Sequence, residues 1–353
     1  MKKYMDLEDM ANVNCSNVLN IIQKNGTVSR NEITQISGLS WGGMTKIVNK
    51  LLEHEYITEV KLKQNAASGR TPRVLSVNTV KNFVIGLDIN KTGLKAIVSD
   101  LTGKTLRDFS RAVTATCREQ FLSEIIDFIS DIFSCFEKDT IISMGIAMQG
   151  TVDCQKGISV KFPDMEDWAF VPLKGILEER FGVSVFVEHD PDCLLYPHIM
   201  HKTRENTVLL RIDQSIGMAV AIDGKIIKGT GIFEIAHNIV IPNGKECHCG
   251  CPGCMEAYIR PCMIHDTPIP SAIEELLLPL ALTVKNMSGI FHADKVILTG
   301  ALMEHHDLFK HKLRDILADL RCQVNVVFSE VSDFAVQGAA LIAVDKSINS
   351  LLM

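Results

Sequence analysis

Between Cys247 and Cys254 four cysteines fall within eight residues, separated by His248, Gly250, Pro252 and Gly253, and His237 stands ten residues upstream. Soft thiolates together with an imidazole are the donors that tetrahedral zinc prefers, and glycine and proline let a short loop close around the ion. The expected ligands are His237, Cys247, Cys249 and Cys254, with Cys251 and His248 as alternative ligands. Four protein ligands leave no position for a metal-bound water, so the expected zinc is structural. Metal ligation rather than disulfide bonding suits a reducing compartment. The other seven cysteines, Cys15, Cys117, Cys135, Cys154, Cys193, Cys262 and Cys322, are scattered. They are expected to act as small buried hydrophobes.

A chain of 353 residues is too long for one ordinary domain. With 46% hydrophobic and 22% charged residues it has globular composition throughout. It has no apolar run of about eighteen residues, and MKKYMDLEDM places acids where a signal peptide would carry its apolar stretch. The expectation is a cytoplasmic protein with no membrane partner. Residues 1–78 carry ten Lys and Arg against seven Asp and Glu, so the head is +3 and the remainder −9 of the total −6. A basic head on an acidic body fits a DNA-binding module on a larger ligand-binding one.

The head has the rhythm of a helix-turn-helix. From Ser16, the residues Val18, Leu19, Ile21 and Ile22 share one helical face, and Asn25-Gly26 stops the helix. Ser29 with Glu32 forms a capping box that opens a second helix through Ile33 and Ile36 to Gly38. Ser40 then caps a third helix whose inward positions are Met44, Ile47, Val48, Leu51 and Leu52. Tyr56 to Val60 and Val74 to Val77 alternate as two strands around the polar tip Asn65-Ala66-Ala67-Ser68-Gly69, which makes a wing. In this arrangement the start of the third helix enters the major groove. Ser40, Trp41, Gly42, Gly43, Thr45 and Lys46 are therefore candidates for groove and phosphate contacts, with core packing the alternative fate of Trp41. Arg70 and Arg73, in Ser68-Gly69-Arg70-Thr71-Pro72-Arg73, are the wing's candidates, with Arg70 placed for a narrow minor groove.

Downstream, Phe83–Ile89, Lys95–Asp100 and Ile141–Ala147 read as strands, Gly103-Lys104 as a turn and Phe121–Phe136 as an amphipathic helix, an α/β alternation. The stretch Gly229-Thr230-Gly231-Ile232-Phe233-Glu234-Ile235-Ala236-His237, followed by Cys247-x-Cys249-Gly250-x-x-Gly253-Cys254-x-Glu256, closely resembles the signature of ROK proteins, the group named for repressors, open reading frames and kinases. Ile146 to Asp153, Trp168 through Pro172-Leu173, Phe186 to Asp190 and Val331 to Ala340 follow in the family's order, so the resemblance covers about residues 80–345. It implies an α/β, two-lobed actin-like sugar-kinase fold of the ribonuclease H type, with sugar held between the lobes. The winged head resembles that of the repressor branch. The expected divisions are residues 1–78 for the head, 79–190 with 335–353 for the first lobe, and 191–334 for the second lobe with the zinc site.

The resemblance also implies roles. The kinases' Asn-Asp motif, whose aspartate is the general base, falls on His189-Asp190, so Asp190 is a vestigial base candidate and its neighbour has changed. His189, Asp190, Glu234, His237 and Glu256 match positions that contact sugar, with His237 bridging sugar and zinc through its two ring nitrogens. The ATP side departs from the family. Its first phosphate loop, Asp-x-Gly-Gly-Thr, reads Asp88-Ile89-Asn90-Lys91-Thr92 here, and its second, Gly-Thr-Gly-x-Gly, reads Asp213-Gln214-Ser215-Ile216-Gly217. The adenosine-side glycine pair has become Thr299-Gly300. Phosphates approach backbone N–H groups where only glycine leaves room, and Asp213 adds a repelling charge.

The leading reading is a non-enzymatic repressor of carbohydrate genes. It would bind a double-stranded DNA operator as a homodimer or dimer of dimers, carry structural zinc and be relieved by a sugar or sugar phosphate. The alternative is an ATP-dependent sugar kinase with a regulatory DNA-binding head, and a zinc-responsive regulator ranks last.

Overall fold

The head builds its core from three helices and a three-stranded sheet. The computed structural model describes residues 7–61, 73–91, 93–137, 139–200, 204–228, 234–264, 269–329 and 334–350. Helix α1 spans Leu7–Asn25, β1 Thr27–Val28, α2 Arg30–Ser37, α3 Trp41–Glu53, β2 Ile57–Lys61 and β3 Arg73–Val77. The α1 helix starts nine residues before Ser16, the expected beginning. Residues 7–15 contain no glycine or proline to stop it, although their polar spacing hides the helix from a search for apolar periodicity.

The capping box of α2 is present on both sides. Glu32 N–H donates to Ser29 Oγ at 3.3 Å, and Ser29 N–H donates to Glu32 Oε2 at 2.7 Å. Gly38 ends the helix at φ 69°, where a side chain would be strained, and its N–H donates to Thr34 O at 3.1 Å. One expected inward position fails: Ile33 is buried, but Ile36 is 58% exposed. In α3, Met44, Val48 and Leu51 are buried and Ile47 and Leu52 half-buried. Strand β3 pairs antiparallel with both β2 and the two-residue β1.

The chain divides into two compact units. The first contains the head together with a five-stranded sheet in the order β11-β7-β4-β5-β6. Its strands are β4 (Phe83–Asn90), β5 (Gly93–Ser99), β6 (Thr105–Ala112), β7 (Ile141–Met148) and β11 (Ser184–His189). Helix α4 (Arg118–Ser134) buries Phe121, Ile125, Phe128, Ile129 and Ile132, one apolar stripe at helical spacing. Between β7 and β11 lie β8 (Thr151–Asp153), β9 (Ile158–Lys161), β10 (Ala169–Val171) and α5 (Leu173–Phe181). Trp168 is fully buried there, its ring 5.3 Å from Phe121 and 5.7 Å from Phe162, and its indole N–H donates to Ser159 Oγ at 2.8 Å.

The second unit holds the sheet β14-β13-β12-β15-β16. Its elements are α6 (Asp190–Ile199), β12 (Thr207–Ile212), β13 (Ile216–Ile222), β14 (Lys225–Ile226), α7 (Glu256–Ile259), α8 (Pro270–Ile290), β15 (Lys295–Thr299), α9 (Lys310–Asp319) and β16 (Asn325–Phe328). Short 3₁₀ turns cover Arg260–Met263 and Ala301–Leu308, and α10 (Phe334–Ser350) follows β16. Strands β12, β15 and β16 run parallel, with β13 antiparallel to β12. Long α8 packs Ile273, Leu276, Leu277, Leu280 and Val284 into this unit's core. The division falls within β11, between Val187 and Glu188, and within α10, between Gly338 and Ala339, and it gives residues 147–155 to the second unit.

Candidate functional site

Two groups of side chains converge in the second unit, and a third set lies on the head. The first group is the cysteine loop. Gly253 takes φ 85°, and a Cβ there would sit 1.8 Å from Ile241 O, so only glycine lets the loop close on the segment around Ile241. Its carbonyl accepts Val240 N–H at 2.9 Å and its N–H donates to Lys245 O at 2.7 Å. The loop thereby brings the ligand atoms of His237, Cys247, Cys249 and Cys254 within 4.8 Å of one another. Cys249 Sγ and Cys254 Sγ are 3.6 Å apart, as are Cys247 Sγ and His237 Nδ1. Zinc–sulfur bonds of about 2.3 Å at tetrahedral angles separate sulfurs by about 3.8 Å, so this donor set fits the ion.

The alternative ligands are placed differently. His248 Nδ1 is 3.7 Å from Cys247 Sγ but also 3.7 Å from Glu256 Oε2, and Cys251 is exposed, its carbonyl oxygen 3.4 Å from Cys254 Sγ. His237 turns Nδ1 to the Cys247 thiol at 3.6 Å and Nε2 to Glu256 Oε2 at 3.6 Å. Glu256 is buried at the start of α7, while Glu234 is exposed on the segment leading to His237. Gly229 to Phe233 lie outside the described residues.

The second group is centred on Asp190, the first residue of α6 and only 4% exposed. Its Oδ2 is bound by Arg211, whose Nε also pairs with Asp213 Oδ2 at 2.5 Å. Asp213 Oδ1 accepts the Ala301 N–H at 2.7 Å. His189 Nε2 stands 3.5 Å from Asp190 Oδ1, and His189 is held down to about 4 by burial and then by the nearby Arg211 cation. At neutral pH it is therefore a neutral ring rather than an ion-pair partner. Next to it, fully buried Glu188 pairs with Lys228. Burial works to lower Lys228, but the Glu188 carboxylate outweighs it and holds the ammonium above its ordinary range. Cys154, Glu188 and Asp192 also converge, and Lys228 already supplies a cation to them.

Arg211 is the residue that motif reasoning passes over. The available signal is a lone guanidinium in Val208-Leu209-Leu210-Arg211-Ile212, where a charge on a buried strand demands carboxylate partners. The phosphate-loop positions are engaged as well. In the β4–β5 turn, Asn90 Nδ2 donates to Asp88 Oδ2 at 3.0 Å, Gly93 N–H donates to Asn90 Oδ1 at 3.1 Å, and Lys91 pairs with Asp164 at 2.9 Å. Thr92 lies outside the described residues.

On the head, Ser40 caps α3 by accepting Gly43 N–H at 3.2 Å, and Thr45 Oγ1 donates to Trp41 O at 2.7 Å. Trp41 is 54% exposed, Gly42 and Lys46 are exposed and Gly43 is half-buried, so the tryptophan is not part of the core. Arg73 pairs with Glu59 at 2.9 Å, and Arg30 shares the same carboxylate at 2.8 Å. Arg70 and the rest of the wing tip lie outside the described residues.

A winged helix-turn-helix preceding an α/β sugar-kinase fold defines a class of protein, and sequence comparison narrows it. The ROK family model matches residues 84–262 and a winged helix-turn-helix DNA-binding model matches residues 16–58. The chain belongs to the ROK family. It is similar to the xylose repressor of Bacillus subtilis (strain 168), 24% identical over 342 residues and covering 88% of each chain. It is also similar to the DNA-binding transcriptional repressor Mlc of Escherichia coli (strain K12), 27% identical over 257 residues, 71% of this chain and 63% of the relative. Among solved structures, a ROK family transcriptional regulator homologous to E. coli Mlc superposes with TM-score 0.84 at 18% identity, covering 97% of this chain and 98% of that one. A ROK glucokinase from Streptomyces griseus, in complex with glucose and AMPPNP, superposes with TM-score 0.62 at 20% identity, covering 74% and 99%.

Proposed function

We infer that this chain is a sugar-responsive, sequence-specific DNA-binding transcriptional regulator, a repressor of carbohydrate-utilisation genes. The observation that carries the reading is the joining of a winged head, with the start of α3 exposed for a DNA groove, to a ROK body whose would-be base Asp190 is tied to Arg211. The likeness to the xylose repressor extends over 88% of both chains and so is not confined to the body.

The regulator acts without catalysis. A kinase needs Asp190 basic enough to take a hydroxyl proton, which a guanidinium partner opposes, and a backbone cradle for polyphosphate. Asn90, Lys91, Asp213 and Ser215 replace residues of that cradle, and Arg211 engages Asp190. The kinase reading is decided by a coupled assay over common hexoses and amino sugars. No turnover is expected, and turnover abolished by Asp190→Asn makes the chain an enzyme.

His237, Cys247, Cys249 and Cys254 would hold zinc, which supplies stiffness to the loop carrying His237 and Glu256. His189, Asp190, Glu234, His237 and Glu256 would hold the hydroxyls of a sugar effector. Ser40, Trp41, Gly42, Gly43, Thr45, Lys46, Arg70 and Arg73 would contact operator DNA in a cytoplasmic dimer or dimer of dimers, since helix-turn-helix proteins read paired half-sites about one DNA turn apart. No described helix is long and apolar enough to cross a membrane. Selection of DNA from a random pool by the full chain, followed by salt-dependent titration of the enriched site, tests the assignment.

A further inference from the structure

Arg211 sits between two carboxylates, and that placement bears on which effector the site accepts. Its guanidinium takes Asp190 Oδ2 on one side and, through Nε, Asp213 Oδ2 at 2.5 Å on the other. Asp213 is fixed in turn by the Ala301 N–H on Oδ1 at 2.7 Å and by its own N–H donated to Ser215 O at 2.9 Å. Arginine stays protonated in proteins, and His189 beside it is neutral, so the cluster of two carboxylates and one guanidinium carries a net charge of about −1. Arg211 Nη1 and Nε and the Ala301 N–H each already have an anion from the chain itself.

We propose that Asp213 acts as a built-in anion that makes the effector an uncharged, unphosphorylated sugar. The proposal rests on the sugar-sensing reading above and sharpens it to one chemical class. Asp190 keeps Oδ1 for a ligand hydroxyl, because the only neighbour described there is the neutral His189 ring at 3.5 Å, too long for a strong bond. A hydroxyl donor gains a charge-assisted hydrogen bond at that oxygen. A phosphate near Arg211 meets a different situation. To bind it through Nη1, the guanidinium must leave Asp190, whose side chain is only 6% exposed, and a buried charge without its partner is strongly penalised. A phosphate that leaves the pairs intact faces the cluster's net negative charge. Asp213 is thus the specificity-determining residue, and Arg211 is the positioning residue that holds Asp190 for the hydroxyl.

Isothermal titration of the full zinc-loaded chain tests this, with D-xylose, D-glucose and N-acetylglucosamine set against glucose 6-phosphate and N-acetylglucosamine 6-phosphate. At least one uncharged sugar is expected to bind, with the phosphates weaker by about tenfold or more. In Asp213→Asn, phosphate binding should strengthen by about tenfold while the uncharged sugar changes little, because one negative charge is removed and the amide can still accept the Ala301 N–H. A phosphorylated sugar binding the unaltered chain as tightly as its uncharged counterpart overturns the proposal and leaves sugar sensing intact. Binding of neither class overturns the sugar-sensing reading itself, and the proposal with it. The comparison on the unaltered protein decides the ligand class even if the variant folds poorly.

Discussion

Lys46 and Arg73 are both candidates for phosphate contact, yet they start from different electrostatic states. Lys46 is exposed, whereas Arg73 shares Glu59 with Arg30. Each phosphate neutralised by a cation contributes about one unit of salt slope. Lys46→Ala should therefore lower the slope of DNA binding by about one, uniformly across sequences. Arg73→Ala should lower it by less, because part of its charge is already spent on Glu59. Equal losses measured by anisotropy over a salt series count against that difference. His189 offers a second residue-scale test. Its folded value of about 4 lies below the ordinary 6.5, so the unfolded chain binds the extra proton first as pH falls. The stability it contributes is complete above pH 6.5 and is lost as pH falls from 6.5 towards 4. Chemical denaturation across that window should show a shallower fall in His189→Asn than in the unaltered chain. The cluster of His237 with Cys247, Cys249 and Cys254, and the pair His189-Asp190, were readable because motif spacing records them. Arg211 was not, because its role depends on β12 lying beside α6, a neighbour relation that no local spacing encodes.

Local signals specified some elements completely and others hardly at all. The Ser29–Glu32 capping box and the Gly38 stop are short-range devices, so α2 appears where its sequence puts it. Ser29→Ala should cost about 1 kcal/mol of head stability by leaving an N-terminal donor unsatisfied, measurable by thermal unfolding. Strand β1, only two residues long, was invisible, since it is a strand only because β3 lies alongside. The edge strand β6 escaped notice for a related reason: Thr105–Ala112 is largely exposed and lacks a continuous apolar face. The cysteine loop is legible without regular structure, because four soft ligands within a short span have one dominant use. Cys254→Ser should remove bound metal and lower the melting temperature, and elemental analysis beside a chelator titration checks both. A metal-free protein whose melting temperature ignores chelator contradicts the closed site.

At the scale of the molecule, a winged helix-turn-helix head and a ROK body are carried on one chain. Fold class and family were open to the sequence because the ROK landmarks are spread from Ile146 to Ala340 in fixed order. The division into units was less so, because its breaks fall inside β7, β11 and α10, within regular elements rather than in a polar linker. The central claim is that sugar binding in the body controls DNA binding by the head. Its most direct test is titration of the full, zinc-loaded chain against its selected DNA site by fluorescence anisotropy, with and without a saturating uncharged sugar that binds it. The account predicts tight, site-selective binding that the sugar weakens by at least about fivefold, the lower end of typical coupling between two sites. DNA affinity that is the same for random and selected sequences, or unchanged by a sugar that demonstrably binds, would contradict it.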